Sequence, residues 1–247
     1  MLRFESRALT ITANQKRLSM STMKLELIDD VHVLSLINHD NENKFNQDVM
    51  EEYLCAFDTV DTYVGNTSLL IRCEHPKTFS TGIDLQWMMA LTTEAKTLFV
   101  KTLETVVYRL AMFGAPTIVA LNGNAYAGAA ILMSGADFRL MRKDRGRFCY
   151  PEVDIKIPFT PLMSDVCELL PNKHALKHMM LTGRPCTGIE AQQWNLVDSI
   201  HSEDKLQSKA LEMAQALAQK DRTTYVTIRN QTRSKIAQYA AGLGIAL

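Results

Sequence analysis

The 247-residue sequence has no surplus of charge of either sign, because 27 lysines and arginines balance 27 aspartates and glutamates. A chain whose main partner is nucleic acid usually carries a basic excess, so the balance counts against that class and leaves only local basic patches open. No run approaches the roughly 18 apolar residues of a membrane span, and none is expected. The five cysteines (Cys55, Cys73, Cys149, Cys167 and Cys186) include no Cys-x-x-Cys pair. Their odd number and wide spacing suit reduced, buried thiols in an intracellular protein. Gly-x-Gly-x-x-Gly, phosphate-loop and Gly-x-Ser-x-Gly patterns are missing, which removes support for a classical nucleotide loop or a serine nucleophile. His174 and His178 stand four apart, but Ala175, Leu176 and Lys177 between them supply no acid. No metal site is expected. There is no internal repeat and no low-complexity linker.

Against these absences stands an ordinary globular composition, 47% hydrophobic and 22% charged, long enough for one large domain or two small ones. Residues 1–22 differ from the rest: Arg3, Arg7, Lys16 and Arg17 face a single acid, Glu5, among frequent Ser and Thr. That composition resembles an organelle transit segment, and an extension without any address is equally compatible. Folded structure is expected from about Lys24. Strands are predicted over Lys24–Ile28 and Val31–Ile37 around Asp29-Asp30, and a helix over Lys44–Thr59 with Val49, Tyr53 and Phe57 on one face. Ser68–Cys73 is a continuous apolar strand, as in a sheet covered on both sides. A loop over Glu74–Gly82 and a short helix over Ile83–Leu91 follow. Thr92–Phe113 is a long helix with Leu103, Val106, Val107, Leu110 and Ala111 on one stripe. Thr117–Leu121 is a buried strand, Asn122-Gly123 a turn, and Ala125–Ala130 the start of a helix. Asp137–Met141 and Arg147–Tyr150 are strands around a solvated charged turn, Arg142–Gly146. Helices over Asn172–Leu181, Thr187–Trp194, Asp204–Gln219 and Thr223–Ala241 complete an α/β core with a helical C-terminal region.

Two features carry candidate chemistry. Glu152 follows a short strand and a proline, with Phe148, Cys149 and Tyr150 before it and Val153 after. A carboxylate in such apolar surroundings has its pKa raised and is suited to moving protons near neutral pH. A surface acid at a strand end is the competing reading. Ala127-Gly128-Ala129 begins a helix, where free backbone N–H groups can hold an oxyanion. Close helix–strand packing would demand the same small residues. Gly82-Ile83 offers a second donor of that type, and two donors with one acid make a plausible enolate-forming centre.

Taken together, these segments resemble the crotonase (enoyl-CoA hydratase/isomerase) superfamily over roughly Lys24 to Arg233. Thr78-Phe79-Ser80-Thr81-Gly82-Ile83-Asp84-Leu85 looks like its first oxyanion segment. Pro116 to Gly123, followed by Ala127-Gly128, looks like the second. Leu181-Thr182-Gly183-Arg184-Pro185, Ala191 and Leu196-Val197-Asp198 match the later helical signature. The resemblance implies a ββα spiral core over residues 23–200 and a helical trimerisation region over 201–247. It also implies an acyl-CoA substrate and a homotrimer or hexamer. Glu152 would be the catalytic acid/base and the N–H groups of Ile83 and Gly128 the oxyanion hole. Gly82, Asp84, Leu85, Ala127 and Ile131 would contact substrate. No cofactor is implied beyond the CoA that arrives with the substrate.

Hydratases of the family usually carry a second glutamate three residues after the second oxyanion glycine, where this chain has Ile131. One glutamate suits moving a double bond better than adding water. The segment Met141–Gly146 with Glu152–Ile155 looks most like the Δ3,Δ2-enoyl-CoA isomerases of the plant peroxisomal type. A hydratase, another acyl-CoA enzyme of the family, or a weakly catalytic acyl-CoA-binding member are the alternatives. Lys156 departs from the family by standing where relatives commonly have glycine. The C-terminal Gly242–Leu247 carries no Ser-Lys-Leu-type address and ends early for the family. The compartment is divided between mitochondrion, from residues 1–22, and peroxisome, from the subfamily.

Overall fold

The computed structural model describes residues 17–245. Of the expected transit segment over residues 1–22, residues 1–16 therefore lie outside the described residues. Folded structure begins earlier than Lys24: β1 (Arg17–Ser19) pairs antiparallel with β2 (Met23–Ile28), so the expected boundary at residue 22 falls inside the sheet. Glu52 secures the connection by accepting hydrogen bonds from the backbone N–H and hydroxyl groups of Ser21 and Thr22.

The chain then repeats one pattern. β3 (Val31–Leu36) leads to α1 (Gln47–Asp61), which Asn46 caps by accepting from the Val49 N–H. β4 (Ser68–Cys73) and β5 (Thr78–Ser80) precede α2 (Leu85–Met89) and α3 (Thr93–Ala111). β6 (Thr117–Leu121) and β7 (Asn124–Tyr126) precede α4 (Gly128–Ser134). β8 (Phe138–Arg142) and β9 (Arg147–Cys149) precede α5 (Glu152–Ile155). From β4 onward each turn places its first strand in a large sheet and its second in a small one. The repetition is the ββα spiral that the resemblance implies.

α6 (Pro161–Cys167), α7 (Lys173–Thr182), β10 (Cys186–Thr187) and α8 (Gly188–Gln193) follow. Thr187 and Glu190 form the expected capping box on α8. Then come β11 (Ser199–His201) and α9 (Glu203–Ala218). The large sheet runs β1-β2-β3-β4-β6-β8-β11 and is parallel from β3 onward; the small one runs β10-β9-β7-β5. β5, β7, β10 and β11 were not expected from the sequence. With two or three residues each, they are too short to show a period of two.

Alternation along β4 explains its unbroken apolar run. Leu69 and Ile71 face the main core with α1 and α3, while Leu70 faces Val31, Val33, Ile118 and Leu140. α9 covers that second face with Leu206, Ala210, Ala214 and Ala218, spaced one turn apart. The alanines let α9 approach closely enough for the Ser68 hydroxyl to donate to the Ala214 carbonyl at 2.8 Å.

Three expectations are corrected. The helix predicted over Thr223–Ala241 is three pieces: α10 (Arg222–Thr232), α11 (Ser234–Ala237) and α12 (Ala240–Leu243). It breaks at Arg233, whose buried guanidinium donates to the Ala111 and Gly135 carbonyls at the ends of α3 and α4. The Arg142–Gly146 turn is not simply solvated. Arg142 is buried, forks onto Asp144 at 3.0 Å and reaches Glu203 at 2.7 Å, joining β8 to α9. Of the five free cysteines, Cys55 is exposed.

Asp137, 5% exposed, pairs with Arg233 at 2.9 Å and Arg229 at 3.6 Å and accepts from the Thr117 N–H at 2.9 Å. It ties α10 and α11 to the start of β6. Asp137→Ala would leave two guanidinium groups buried without their anion, at a cost of about 3–5 kcal/mol. Urea unfolding of the variant is expected to show that loss of stability.

Candidate active site

The small sheet builds the site. β5 pairs parallel with β7, and β7 parallel with β9 (Ala125 opposite Phe148, Tyr126 opposite Cys149). Three parallel neighbours end on one edge, so the residues just past their C-terminal ends meet there. Those residues are Thr81-Gly82-Ile83, Ala127-Gly128 and Tyr150-Pro151-Glu152.

The first donor follows from a single bridge. Phe45 pairs with Ile83 in parallel: the Phe45 N–H donates to the Gly82 carbonyl at 2.8 Å, and the Asp84 N–H donates to the Phe45 carbonyl at 2.9 Å. A parallel bridge uses the groups flanking its central residue, so the Ile83 N–H points away from Phe45 and stays free of that bridge, while Ile83 itself lines the pocket. The second donor follows from the turn between β7 and α4. The Ala127 N–H still donates to the Cys149 carbonyl at 3.0 Å, but Ala127 has φ 51° and ψ −128°. That reversal ends the strand and starts α4 at Gly128, whose N–H belongs to the unpaired first turn of the helix.

Gly82 holds the two segments together. Its φ is +77°, and a Cβ on it would lie 2.8 Å from both the Gly128 nitrogen and the Tyr126 carbonyl oxygen. A Cβ on Gly128 would meet nothing closer than 3.5 Å. The demand for a minimal residue therefore falls on Gly82 more than on the Ala127–Ala129 corner.

Glu152 is buried, at 5% exposure, and its Oε2 has no hydrogen-bond partner among the described residues. Burial raises its pKa to about 7, against a smaller opposing effect of a backbone hydrogen bond. Its approach is fixed by Tyr150, fully buried with its hydroxyl 2.6 Å from the Ser134 hydroxyl on α4. α5 ends at Lys156, where the residue takes φ 60° and ψ 35°. That is the left-handed conformation glycine adopts at least cost, so the lysine keeps the backbone path that a glycine would give.

A pocket of about 200 Å³ lies between these parts. Ile83, Leu85, Ala127, Gly128, Ile131 and Glu152 all line it, and Glu152 is its one carboxylate among the described residues. Ile131 is 3% exposed, one turn into α4. Gly82 and Asp84 are not on the lining: Gly82 is the spacer just described, and Asp84 caps α2 by accepting from the Trp87 N–H at 3.2 Å. Tyr126 and Phe159 also line the pocket without having been expected there, as does Thr81, which the sequence placed only within the first oxyanion segment. Thr81 Oγ1 is buried without a partner among the described residues. Its position just before Gly82 was the available signal. His174 and His178 are exposed on α7, and no group of three or more His, Cys, Asp or Glu placed to hold a metal occurs among the described residues.

The arrangement can do one kind of chemistry well. Two converging N–H groups can stabilise negative charge on a carbonyl oxygen, and one carboxylate near neutrality can take and return a proton beside it.

Comparison with known proteins shows the family. Residues 27–242 match the family described as enoyl-CoA hydratase/isomerase. The chain is 30% identical over 213 residues to "Enoyl-CoA delta isomerase 3" of Arabidopsis thaliana, covering 83% of this chain and 89% of that protein. It is 32% identical over 206 residues to "Enoyl-CoA delta isomerase 2, peroxisomal" of the same plant, covering 79% and 85%. A solved enoyl-CoA hydratase/isomerase family protein from Pseudomonas syringae superposes with a TM-score of 0.82 at 22% identity, covering 90% of this chain and 94% of that one. No helix among the described residues is long and apolar enough to cross a membrane.

The buried carboxyl has a consequence for stability. Its folded pKa, about 7, lies above the ordinary 4.5, so the fold is favoured with Glu152 neutral and loses stability as pH rises through about 7. Glu152→Gln is therefore expected to be more stable than the parent at pH 8–9, by on the order of 1–3 kcal/mol. The difference should fade as pH drops toward 4.5. Thermal unfolding across that range measures it.

Proposed function

The chain belongs to the enoyl-CoA hydratase/isomerase family, and we propose that within it the chain is a Δ3,Δ2-enoyl-CoA isomerase of fatty acid β-oxidation. The observation that carries this reading is that Glu152 is the one carboxylate on the pocket lining among the described residues, while the first turn of α4 presents buried, apolar Ile131. Hydration needs one group to activate water and another to protonate carbon. Isomerisation needs one group that acts twice.

In the proposed reaction the thioester oxygen of a 3-enoyl-CoA accepts from the Ile83 and Gly128 N–H groups. The Glu152 carboxylate removes a proton from C2, and the electron pair delocalises onto the thioester oxygen, where the two donors hold the charge. The resulting carboxylic acid returns the proton at C4, leaving the double bond between C2 and C3. The proton removed equals the proton returned, so the balance requires no water and no electron acceptor. A base with its pKa near 7 is matched to both halves of that transfer.

Glu152→Gln is expected to lower kcat for 3-hexenoyl-CoA by about 10²-fold or more. The parent enzyme's kcat/KM should rise with pH through about 7, as the carboxyl ionises. Turnover by Glu152→Gln at the parent rate, or robust hydration of crotonyl-CoA by the parent, would sink the reading.

Gly82→Ala separates the donors without touching the base. It is expected to cost roughly 10²-fold in kcat, the order found when one oxyanion donor is lost. Steady-state kinetics of a folded Gly82→Ala variant checks this.

A further inference from the structure

One buried hydrogen bond joins the two halves of the site from behind. Tyr150 and Ser134 are both fully buried, and their hydroxyl oxygens lie 2.6 Å apart. The direction of the bond follows from a third group. The Ser134 hydroxyl also lies 2.7 Å from the Ala130 carbonyl, one turn back in α4. A carbonyl can only accept and a serine has one proton, so Ser134 donates to Ala130 and Tyr150 donates to Ser134. α4 carries the Gly128 donor at its other end. Tyr150 stands two residues before Glu152, and the residue between them is Pro151, whose ring restricts its φ.

We propose that Tyr150 and Ser134 are positioning residues for the proton transfer, a hydroxyl pair that sets the Glu152 carboxyl at a fixed distance from the oxyanion donor of α4. The inference rests on the isomerase reading. α4 can serve as the reference because its far end is clamped. The Arg139 guanidinium donates to the Ser134 and Ala136 carbonyls at 3.3 and 2.6 Å, and Arg233 donates to the Gly135 carbonyl at 2.9 Å. The seven residues of α4, at about 1.5 Å of rise each, carry that reference to Gly128. On the base side, α5 is four residues long and Glu152 is its one buried residue. Val153 and Ile155 are exposed. Packing of α5 itself therefore contributes little to holding the carboxyl, and the hold falls to the residues just before it.

The Tyr150 ring packs edge-on against Phe148 and Phe159, at 5.4 and 6.0 Å between centroids. Apolar contacts of this kind are non-directional and tolerate small shifts, whereas a hydroxyl pair in contact fixes both distance and angle. A shift of about 1 Å in a reacting group can cost on the order of 10²-fold in rate. Removing the Tyr150 hydroxyl leaves the ring contacts in place, and the Ser134 hydroxyl keeps its bond to Ala130. The substitution thus isolates the tie between the two halves.

Tyr150→Phe, Ser134→Ala and the double variant test the pair. Each single variant is expected to lower kcat for 3-hexenoyl-CoA about tenfold. The calorimetric Kd for hexanoyl-CoA should stay within about twofold of the parent's, because the binding groups are untouched. The double variant should lose no more than the larger single, since both substitutions remove the same bond. The rise of kcat/KM with pH should keep its midpoint at about 7, which the burial of Glu152 sets. Unchanged kcat in the folded variants would overturn the proposal. So would losses that multiply in the double variant, or a parallel loss of hexanoyl-CoA binding. A midpoint falling toward 4.5 would overturn it too, because it marks water reaching the carboxyl through a disrupted core. If Tyr150→Phe does not fold, Ser134→Ala carries the kcat, Kd and pH readouts by itself. The isomerase reading fails separately, by absent turnover of 3-hexenoyl-CoA in the parent, and takes this role with it.

Discussion

The parallel pairing of β5, β7 and β9 is the constraint on which the site depends. None of the three strands exceeds three residues, and none would hold its shape alone. Each is held because the larger sheet fixes the strand before it in the same spiral turn. The alignment brings three separate corners to one edge. Two expose a backbone N–H and the third carries Glu152. A one-residue slip of β9 against β7 would turn the residues leading to Glu152 to the other face. The Tyr150–Ser134 hydrogen bond and the Ala127–Cys149 backbone bond both oppose such a slip.

The site works against the stability of its surroundings. An ionised carboxyl in an apolar pocket is unfavourable, and Glu152 is buried with one oxygen unpartnered among the described residues. Ala127 adds a backbone conformation outside the ordinary regions, of the kind that costs on the order of 1–3 kcal/mol. These local costs are borne by a rigid scaffold: two cores on opposite faces of the large sheet, and buried arginines that join the C-terminal helices to the ends of α3, α4 and β6. Strain is thus concentrated at the candidate site, and the tight packing lies around it.

Much of this was legible in the sequence. Ser68–Cys73 and Thr117–Leu121 have the expected bounds, because unbroken apolar runs in a sheet covered on both faces leave little choice of register. α3 starts at its Thr92 cap and buries the expected stripe. The donor residues and Glu152 could be named from their motifs, since a glycine with positive φ beside another backbone and an acid after a proline leave marks in single residues. The division of the last helix left no such mark. Its break depends on Arg233 reaching carbonyls more than 90 residues earlier in the chain. Arg142 and Asp137 are likewise ordinary charges in the sequence, and only their partners on distant elements explain their burial.

By itself the sequence determined which groups are available: one carboxylate in apolar company, two small-residue corners, and isoleucine rather than a second acid at position 131. Local chemistry settles these, because side-chain identity and backbone permissiveness belong to single residues. Tertiary structure alone decided that the groups meet, that Gly82 rather than Gly128 is the spacer between the donors, and that Asp84 caps a helix instead of lining the pocket. It also decided that the Tyr150 hydroxyl meets Ser134 behind the base. These are properties of long-range pairing and packing, and the short strands that create them carry too little periodicity to announce themselves in the chain.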